Sequence, residues 1–219
     1  MDVHVNMKDF LKLTDDIGPD FERRSIERAD SDQFIAENVA ELKRLKFYSA
    51  MVPLELGGGG VSHSQMCAVI RNIGGYCPST ALTLSMHQHI IAANRWNHEH
   101  GNPGQAVLEM VAKRELVLVS TGATDWLSSV GVMEKVDGGF LVSAQKRFAS
   151  GSPSGDILVT SAPYDDPEDG PQVLHFPVPL NADGVSITEN WQAMGMRHTG
   201  SHVVVLDKGL VPDAAIAVR

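Results

Sequence analysis

The sequence is poor in cysteine and in long apolar runs. Its 219 residues include two cysteines, Cys67 and Cys77, too few for a disulfide framework and too far apart for a Cys-x-x-Cys pair. No apolar stretch approaches the roughly 20 residues that a membrane-spanning helix needs. The segment 1–10 mixes charged and polar residues and does not resemble a signal peptide. These absences predict no membrane association and a reducing compartment, most simply the cytoplasm.

Positive charge is also scarce. Lysine and arginine number 18 against 27 acidic residues, and the formal net charge of −9 repels nucleic-acid phosphates unless the basic residues cluster. Lys43, Arg44 and Lys46 are the nearest to a cluster, but Glu37 and Glu41 accompany them, which is typical of a solvated helix face. Nucleic acid is therefore not an expected partner.

The sequence does contain enough apolar surface to fold. Hydrophobic residues make up 43% of the chain and charged residues 21%, close to the average of globular proteins. The length suits one large domain or two compact ones, each with its own core.

Up to about residue 115 the apolar residues recur at helical spacing. One amphipathic helix is expected to begin at Ser31 or Asp32 and to end near Lys46. Its apolar face consists of Phe34, Ile35, Val39, Leu42 and Leu45.

Three more helices are predicted in this part of the chain. Ser62 is expected to cap one whose inward face carries Met66, Val69, Ile70 and Ile73. Pro78 begins a central helix that is buried on most faces, and the pair 102–103 begins a last one. Lys113 and Arg114 suit the negative end of that helix dipole.

From residue 116 the units shorten and turn residues multiply. Residues 132–136 and 140–142, joined by Asp-Gly-Gly, predict a β-hairpin. Further strands are expected at 116–121, 157–161, 173–178, 185–188 and 202–206. Without helices between them, these strands should pair mainly antiparallel. The predicted fold class is α+β: an all-α domain over 1–115, then a mainly antiparallel β-sandwich or barrel domain over 116–219.

Three motifs that suggest chemistry are weak. The glycine run at 57–60 lacks the Lys-Ser/Thr of a phosphate loop and is more typical of a turn. The pairs His87/His89 and His98/His100 have a two-residue spacing that points their rings in different directions on a helix, so no metal site is expected. No Gly-x-Ser-x-Gly elbow is present, which disfavours a hydrolase.

Two segments of the second domain are typical of a site for a flat polar ring. Ser120 and Thr121 end a strand before a glycine-containing loop, where hydroxyls and backbone N–H groups can meet a polar ring edge. Phe148 lies two residues before Ser150, so that one strand face would present a flat apolar surface beside a hydroxyl. A flat heteroaromatic cofactor would use both segments.

These segments, with others in the same order, resemble the acyl-CoA dehydrogenases. Lys146-x-Phe148-x-Ser150-Gly151 is similar to the family's Lys-x-Trp-x-Thr-Asn segment beside the flavin ring. The stretch 120–125 resembles the strand and loop against the flavin pyrimidine. Further resemblances lie at 54–60, at 79–82 with His87, at 194–201 and at 207–212. The resemblance covers the family's N-terminal and middle domains, without its C-terminal helical domain.

The resemblance implies a flavoprotein that binds FAD. The implied cofactor contacts are Leu118, Val119, Ser120, Thr121, Phe148, Ala149 and Ser150. The implied substrate contacts are Thr124, Trp126, Leu127 and Ser128. In the family the general base is a glutamate of the third domain, so the resemblance implies no catalytic residue in this chain. It also implies weak flavin binding by the chain alone.

Two departures from the family pattern leave the reaction open. The loop 120–125 is shorter than the family's Thr-Glu-Pro-x-x-Gly-Ser-Asp loop, and Phe148 replaces the usual tryptophan. The resemblance implies dehydrogenation of an acyl-CoA, with an electron-transfer partner. The alternatives are a flavin-dependent monooxygenase of the same fold, which needs a flavin reductase and another small-molecule substrate, or a non-catalytic remnant. Full-length members of the family form homo-oligomers.

Overall fold

The computed structural model describes residues 7–122, 125 and 128–216. It divides into two compact units, one made of Met1–Val117 with Gln192–Thr199 and the other of Leu118–Trp191 with Gly200–Arg219. Helices form the first unit and strands the second. The predicted α+β class is confirmed.

In the described part of the chain, five helices build the first unit. They are α1 (Met7–Glu27), α2 (Ala36–Arg44), α3 (His63–Tyr76), α4 (Pro78–Glu99) and α5 (Gln105–Arg114), with short 3₁₀ turns at Leu54–Leu56 and Arg197–Thr199. α3 packs between α1 and α4, and α5 packs on α4. Among the described residues, no helix has both the length and the apolar composition to cross a bilayer. The fully buried core includes Phe21, Leu42, Phe47, Tyr48, Ile73, Leu84, Ile91 and Leu108.

Two helix beginnings are as predicted. Ser62 forms a capping box with Gln65, since each side chain bonds the other residue's backbone N–H. α4 begins at Pro78, and its apolar and small residues are buried on several faces. A capping box therefore begins α3, and a proline at the first helical position begins α4.

The predicted beginning of α2 is wrong. The helix starts at Ala36, after Ile35, which provides no side-chain cap. Ser31 instead donates its hydroxyl hydrogen to the carbonyl of Arg28 at 3.1 Å. Asp32 accepts from Arg197, a residue distant in sequence, at 2.7 Å. Both candidate caps are used elsewhere. α5 likewise begins at Gln105 rather than at 102–103.

α1 was not predicted as a separate helix. Its buried face carries Phe10, Thr14, Ile17 and Phe21, which recur at three- and four-residue steps. Frequent charged residues and an internal Pro19 interrupt the apolar pattern and obscure this periodicity.

Among the described residues, seven strands form two sheets in the second unit. They are β1 (Leu118–Ser120), β2 (Val132–Val136), β3 (Gly139–Ala149), β4 (Ile157–Asp166), β5 (Gly170–Pro179), β6 (Val185–Thr188) and β7 (His202–Pro212). One sheet has the order β1-β4-β5 and the other β2-β3-β7-β6. β1 pairs with β4 in parallel, and the other pairs are antiparallel. The two sheets face each other, with β2 against β4.

The end of β3 is irregular. Lys146 pairs with Val204 of β7, but the next paired residue, Ala149, lies opposite His202. β3 therefore carries one more residue than β7 between these pairs. Such a β-bulge breaks the alternation of faces and re-aims the side chains around it.

Candidate functional site

The structure brings together the two segments that the sequence singled out. Gly122 follows β1, and a Cβ atom placed on it would lie 3.4 Å from the carbonyl oxygen of Arg147 and 3.6 Å from the nitrogen of Phe148. The end of β1 therefore runs beside the bulge of β3. A Cβ atom at 122 would make ordinary van der Waals contact with this backbone.

A closed set of polar side chains lies at this place, and we call it the Lys146 cluster. Lys146 is fully buried, and its ammonium donates to Asp125 Oδ1 at 2.7 Å, to the Val130 carbonyl at 2.6 Å and to the Ser161 carbonyl at 2.5 Å. An ammonium group has three hydrogens, so all of them are used. The cluster comprises Thr121, Asp125, Lys146, Thr160 and Ser161.

Asp125 is the acceptor at the centre of this cluster. Besides Lys146, it accepts the hydroxyl hydrogens of Thr121 at 2.7 Å and of Thr160 at 3.0 Å. Burial alone raises the pKa of Asp125, but these hydrogen bonds outweigh it and the pKa lies below its usual range. Burial lowers the pKa of Lys146 below its usual value, although Asp125 opposes this shift. The three acceptors around the Lys146 nitrogen match the three hydrogens of an ammonium group facing a carboxylate.

The Lys146 cluster joins the connection between β1 and β2 to two strands. Asp125 and Val130 belong to that connection, Lys146 to β3 and Ser161 to β4. Removing either ion would leave a buried charge without a partner, which is far more costly than losing a surface ion pair. The cluster thus shapes the strand ends and keeps no donor for a ligand.

Most of the predicted cofactor contacts are buried. Leu118, Val119, Ser120, Thr121 and Ala149 are each at most 2% exposed. Within the described residues, the Ser120 hydroxyl has no hydrogen-bond partner. The Thr121 hydroxyl points to Asp125 rather than outward. The expectation that both hydroxyls are offered to a ring edge is therefore corrected, because packing buries both residues.

The predicted substrate contacts fall largely outside the described residues. Thr124, Trp126 and Leu127 lie there, and Ser128 is exposed. Their role stays a prediction.

Among the predicted cofactor contacts, Phe148 is the exposed one. Its side chain is 53% exposed, although it follows fully buried Lys146 by only two residues. Its ring meets that of Trp191 edge-on, with 5.3 Å between centroids and 65° between planes. We call Phe148 and Trp191 the aromatic pair. Trp191 was missed because it follows β6 in a polar stretch with no spacing signal.

Ser150 lies beside this region but not on a regular strand face with Phe148. β3 ends at Ala149, and the bulge precedes that end. The Ser150 hydroxyl is 2.8 Å from that of Ser201. The predicted strand geometry for Phe148 and Ser150 is therefore wrong, because the bulge interrupts it.

Known proteins match this chain in both sequence and fold. Residues 16–115 match the family described as "Acyl-CoA dehydrogenase, N-terminal domain". The Bacillus subtilis protein YdbM, which bears the name of an acyl-CoA dehydrogenase, is 26% identical over 90% of this chain and 53% of its own length. A pigment production hydroxylase of Rhodococcus is 27% identical over 89% of this chain and 48% of its own. The chain spans about half the length of these relatives.

Solved structures share the fold. A nitrososynthase of Micromonospora carbonacea has a TM-score of 0.87 at 23% identity, over 97% of this chain and 56% of that one. KijD3 in complex with FMN and an amino sugar nucleotide has the same TM-score and identity, over 97% and 54%. XiaF of Streptomyces in complex with FADH2 has a TM-score of 0.78 at 21% identity, over 96% and 50%.

These matches confirm the resemblance that the sequence indicated. Residues 16–115 therefore match the acyl-CoA dehydrogenase N-terminal domain, and the chain as a whole is similar to proteins named as an acyl-CoA dehydrogenase, a hydroxylase and a nitrososynthase.

Proposed function

We propose that the chain supplies one face of a flavin site in a flavin-dependent oxidoreductase. The observation that carries the proposal is the exposed ring of Phe148 at the end of β3. Large aromatic side chains are usually buried, so a half-exposed ring held in place by a second aromatic is a candidate binding surface. KijD3 and XiaF, which share the fold, are described in complex with FMN and FADH2.

The residues around Phe148 fit a flat heteroaromatic ring. A flavin ring needs an apolar surface to pack against and polar groups along its edge. The aromatic pair supplies the face, and Ser150 with the backbone after β1 supplies polar groups nearby. The Lys146 cluster fixes the positions of these strand ends relative to one another. When bound, a flavin would supply the capacity to accept or deliver electrons.

Within this family we infer a monooxygenase as the first candidate. A pigment production hydroxylase and a nitrososynthase are among the matched proteins. The short 120–125 loop and Phe148 also depart from the dehydrogenase pattern. On this proposal the partners are a flavin reductase that delivers reduced FMN or FAD, and a small-molecule substrate.

Acyl-CoA dehydrogenation is the second candidate. It is supported by the match of residues 16–115 to the dehydrogenase N-terminal domain and by the name of YdbM. On this proposal the substrate is an acyl-CoA thioester, and FAD would pass electrons to an electron-transfer partner.

Anaerobic titration separates the two candidates. The purified chain is titrated with oxidised and then with reduced FMN and FAD. We expect the reduced forms to bind more tightly, because a monooxygenase receives reduced flavin from its partner. Tighter binding of oxidised FAD than of the reduced flavins would favour the dehydrogenase, whose reaction begins with oxidised flavin. Bleaching by an acyl-CoA would also support the dehydrogenase, and no saturable binding of any flavin would refute both.

A further inference from the structure

His202 bonds to the backbone that carries Trp191. Its Nδ1 atom accepts the backbone N–H of Asn190 at 3.1 Å and that of Trp191 at 3.0 Å. His202 is 8% exposed and lies at the start of β7. Two donors that converge on one buried ring nitrogen form a directed anchor.

This geometry specifies the form of the imidazole. A nitrogen that accepts two N–H groups cannot carry a hydrogen, so His202 is neutral and its proton is on Nε2. A further hydrogen bond joins the same two segments, because the Asn190 side-chain oxygen accepts the backbone N–H of Val203 at 3.2 Å. The end of the 189–191 segment is thereby held against β7.

We propose that His202 is a positioning residue that holds Trp191 against Phe148 and so sets the shape of the aromatic pair. The inference rests on the proposed function for its purpose, since the aromatic pair is the surface offered to a flat ring. The physical claim about Trp191 stands on the hydrogen bonds alone. The Trp191 backbone is fixed by His202, and its ring lies 5.3 Å from that of Phe148.

The charge environment of His202 supports a neutral ring. Burial lowers the pKa of His202 below its ordinary value of 6.5, and Glu189 in the anchored segment opposes this. On β3 the residue opposite is Ala149, which carries no charge. Protonation would point a new N–H at two N–H donors and break the anchor. Trp191 should therefore be released as the pH falls below 6.5 and through the lowered pKa of His202.

Tryptophan fluorescence tests this without any flavin. Trp96 and Trp126 are replaced by phenylalanine, which leaves Trp191 as the reporter. His202→Leu removes the acceptor and should raise acrylamide quenching of Trp191 severalfold. His202→Asn keeps an uncharged acceptor near the position of Nδ1 and should restore low quenching. The parent should show an acid transition in quenching, and His202→Asn should show none.

A second histidine of the same unit is the control. Burial also lowers the pKa of His175 in β5. The bond to the Trp191 backbone comes from His202, so His175→Gln should leave the acid transition of Trp191 intact. The proposal is overturned if His202→Asn retains that transition. It is also overturned if His202→Leu folds and acrylamide quenches its Trp191 fluorescence no more than that of the parent. Should His202→Leu fail to fold, the pH profile of His202→Asn decides alone.

Flavin titration of the same variants links the anchor to the proposed function. We expect His202→Leu to weaken flavin binding about two- to tenfold, the worth of one oriented aromatic contact, and His202→Asn to bind like the parent. If no variant binds flavin but fluorescence follows the predicted pattern, the anchor stands and the proposed function fails.

Discussion

Lys146 and Phe148 lie two residues apart on β3, and their exposure to solvent is opposite to what their chemistry predicts. Lys146 is a charged residue with no exposed surface, whereas Phe148 is an aromatic residue with 53% of its surface exposed. The usual burial preference predicts the reverse. The β-bulge between Lys146 and Ala149 separates the two environments, because it ends the strict alternation of the strand.

This contrast separates the group that holds the fold from the group that is available for binding. Lys146 donates all three of its hydrogens within the protein, so its cluster can only fix the positions of the strand ends. The aromatic pair is joined by one edge contact and leaves much of the Phe148 ring uncovered. Substitutions in the cluster should therefore change stability, and substitutions in the pair should change binding.

Lys146→Met should have the largest effect. It leaves the Asp125 carboxylate buried without its cation and leaves two carbonyls without a donor. Removing one partner of a buried ion pair costs about 3–5 kcal/mol of unfolding free energy. Urea unfolding measures the loss. Lys135→Met, which removes the exposed ion pair with Asp213, is the control and should cost about 1 kcal/mol or less. Equal losses in the two variants would contradict the assignment.

Acid should reduce the stability contributed by Asp125. Its pKa is lowered in the folded protein, so its contribution is complete above the ordinary value of 3.8 and is lost as the pH falls through the folded value. The stability gap between the wild-type chain and Asp125→Asn should narrow over that acid range. Urea midpoints at a series of pH values check this. If the difference in unfolding free energy between the two proteins stayed constant to the lowest pH at which both fold, Asp125 would not be the titrating group.

Thr160→Val should have an intermediate effect. It removes one hydroxyl donor from Asp125 while keeping the shape of the side chain. A hydrogen bond to a charged group is worth about 1.5–3 kcal/mol. Ser186→Ala, on exposed β6, offers a control with a change below about 0.5 kcal/mol. Urea unfolding measures both variants. Equal losses of unfolding free energy would show that the Thr160 hydrogen bond contributes little.

Phe148→Ala should have the smallest effect on stability. The ring is half exposed and its contact with Trp191 is edge-on, so we expect a loss of about 1 kcal/mol or less. Thermal unfolding measures it. A loss as large as that of Lys146→Met would make Phe148 part of the core and would remove the contrast between the two positions.

Much of the fold could be predicted from local signals. The capping box at Ser62, the proline that begins α4 and the Asp-Gly-Gly turn between β2 and β3 each determine structure within a few residues. α1 escaped prediction because its apolar residues are diluted by charges, and the start of α2 because Asp32 pairs with distant Arg197.

The candidate site was predicted in outline only. The sequence indicated both segments, but β1 and β3 belong to different sheets, so their adjacency comes from the packing of one sheet on the other. The burial of Ser120 and Thr121 could not be inferred, because it depends on packing from other elements. Asp125 and Lys146 were seen as parts of two motifs, but their pairing spans a turn and two strands. A bulge has no reliable sequence signature, so the exposure of Phe148 was a consequence of the fold.

The central claim is that the exposed face of Phe148 binds a flat flavin ring. Flavin fluorescence titration of three proteins tests it: the wild-type chain, Phe148→Ala, and Leu210→Ala, which removes a comparably exposed apolar side chain of β7. We expect saturable binding by the wild-type chain, about tenfold weaker binding by Phe148→Ala, and no change in Leu210→Ala. Equal affinities of the wild-type chain and Phe148→Ala, or no saturable binding, would contradict the claim.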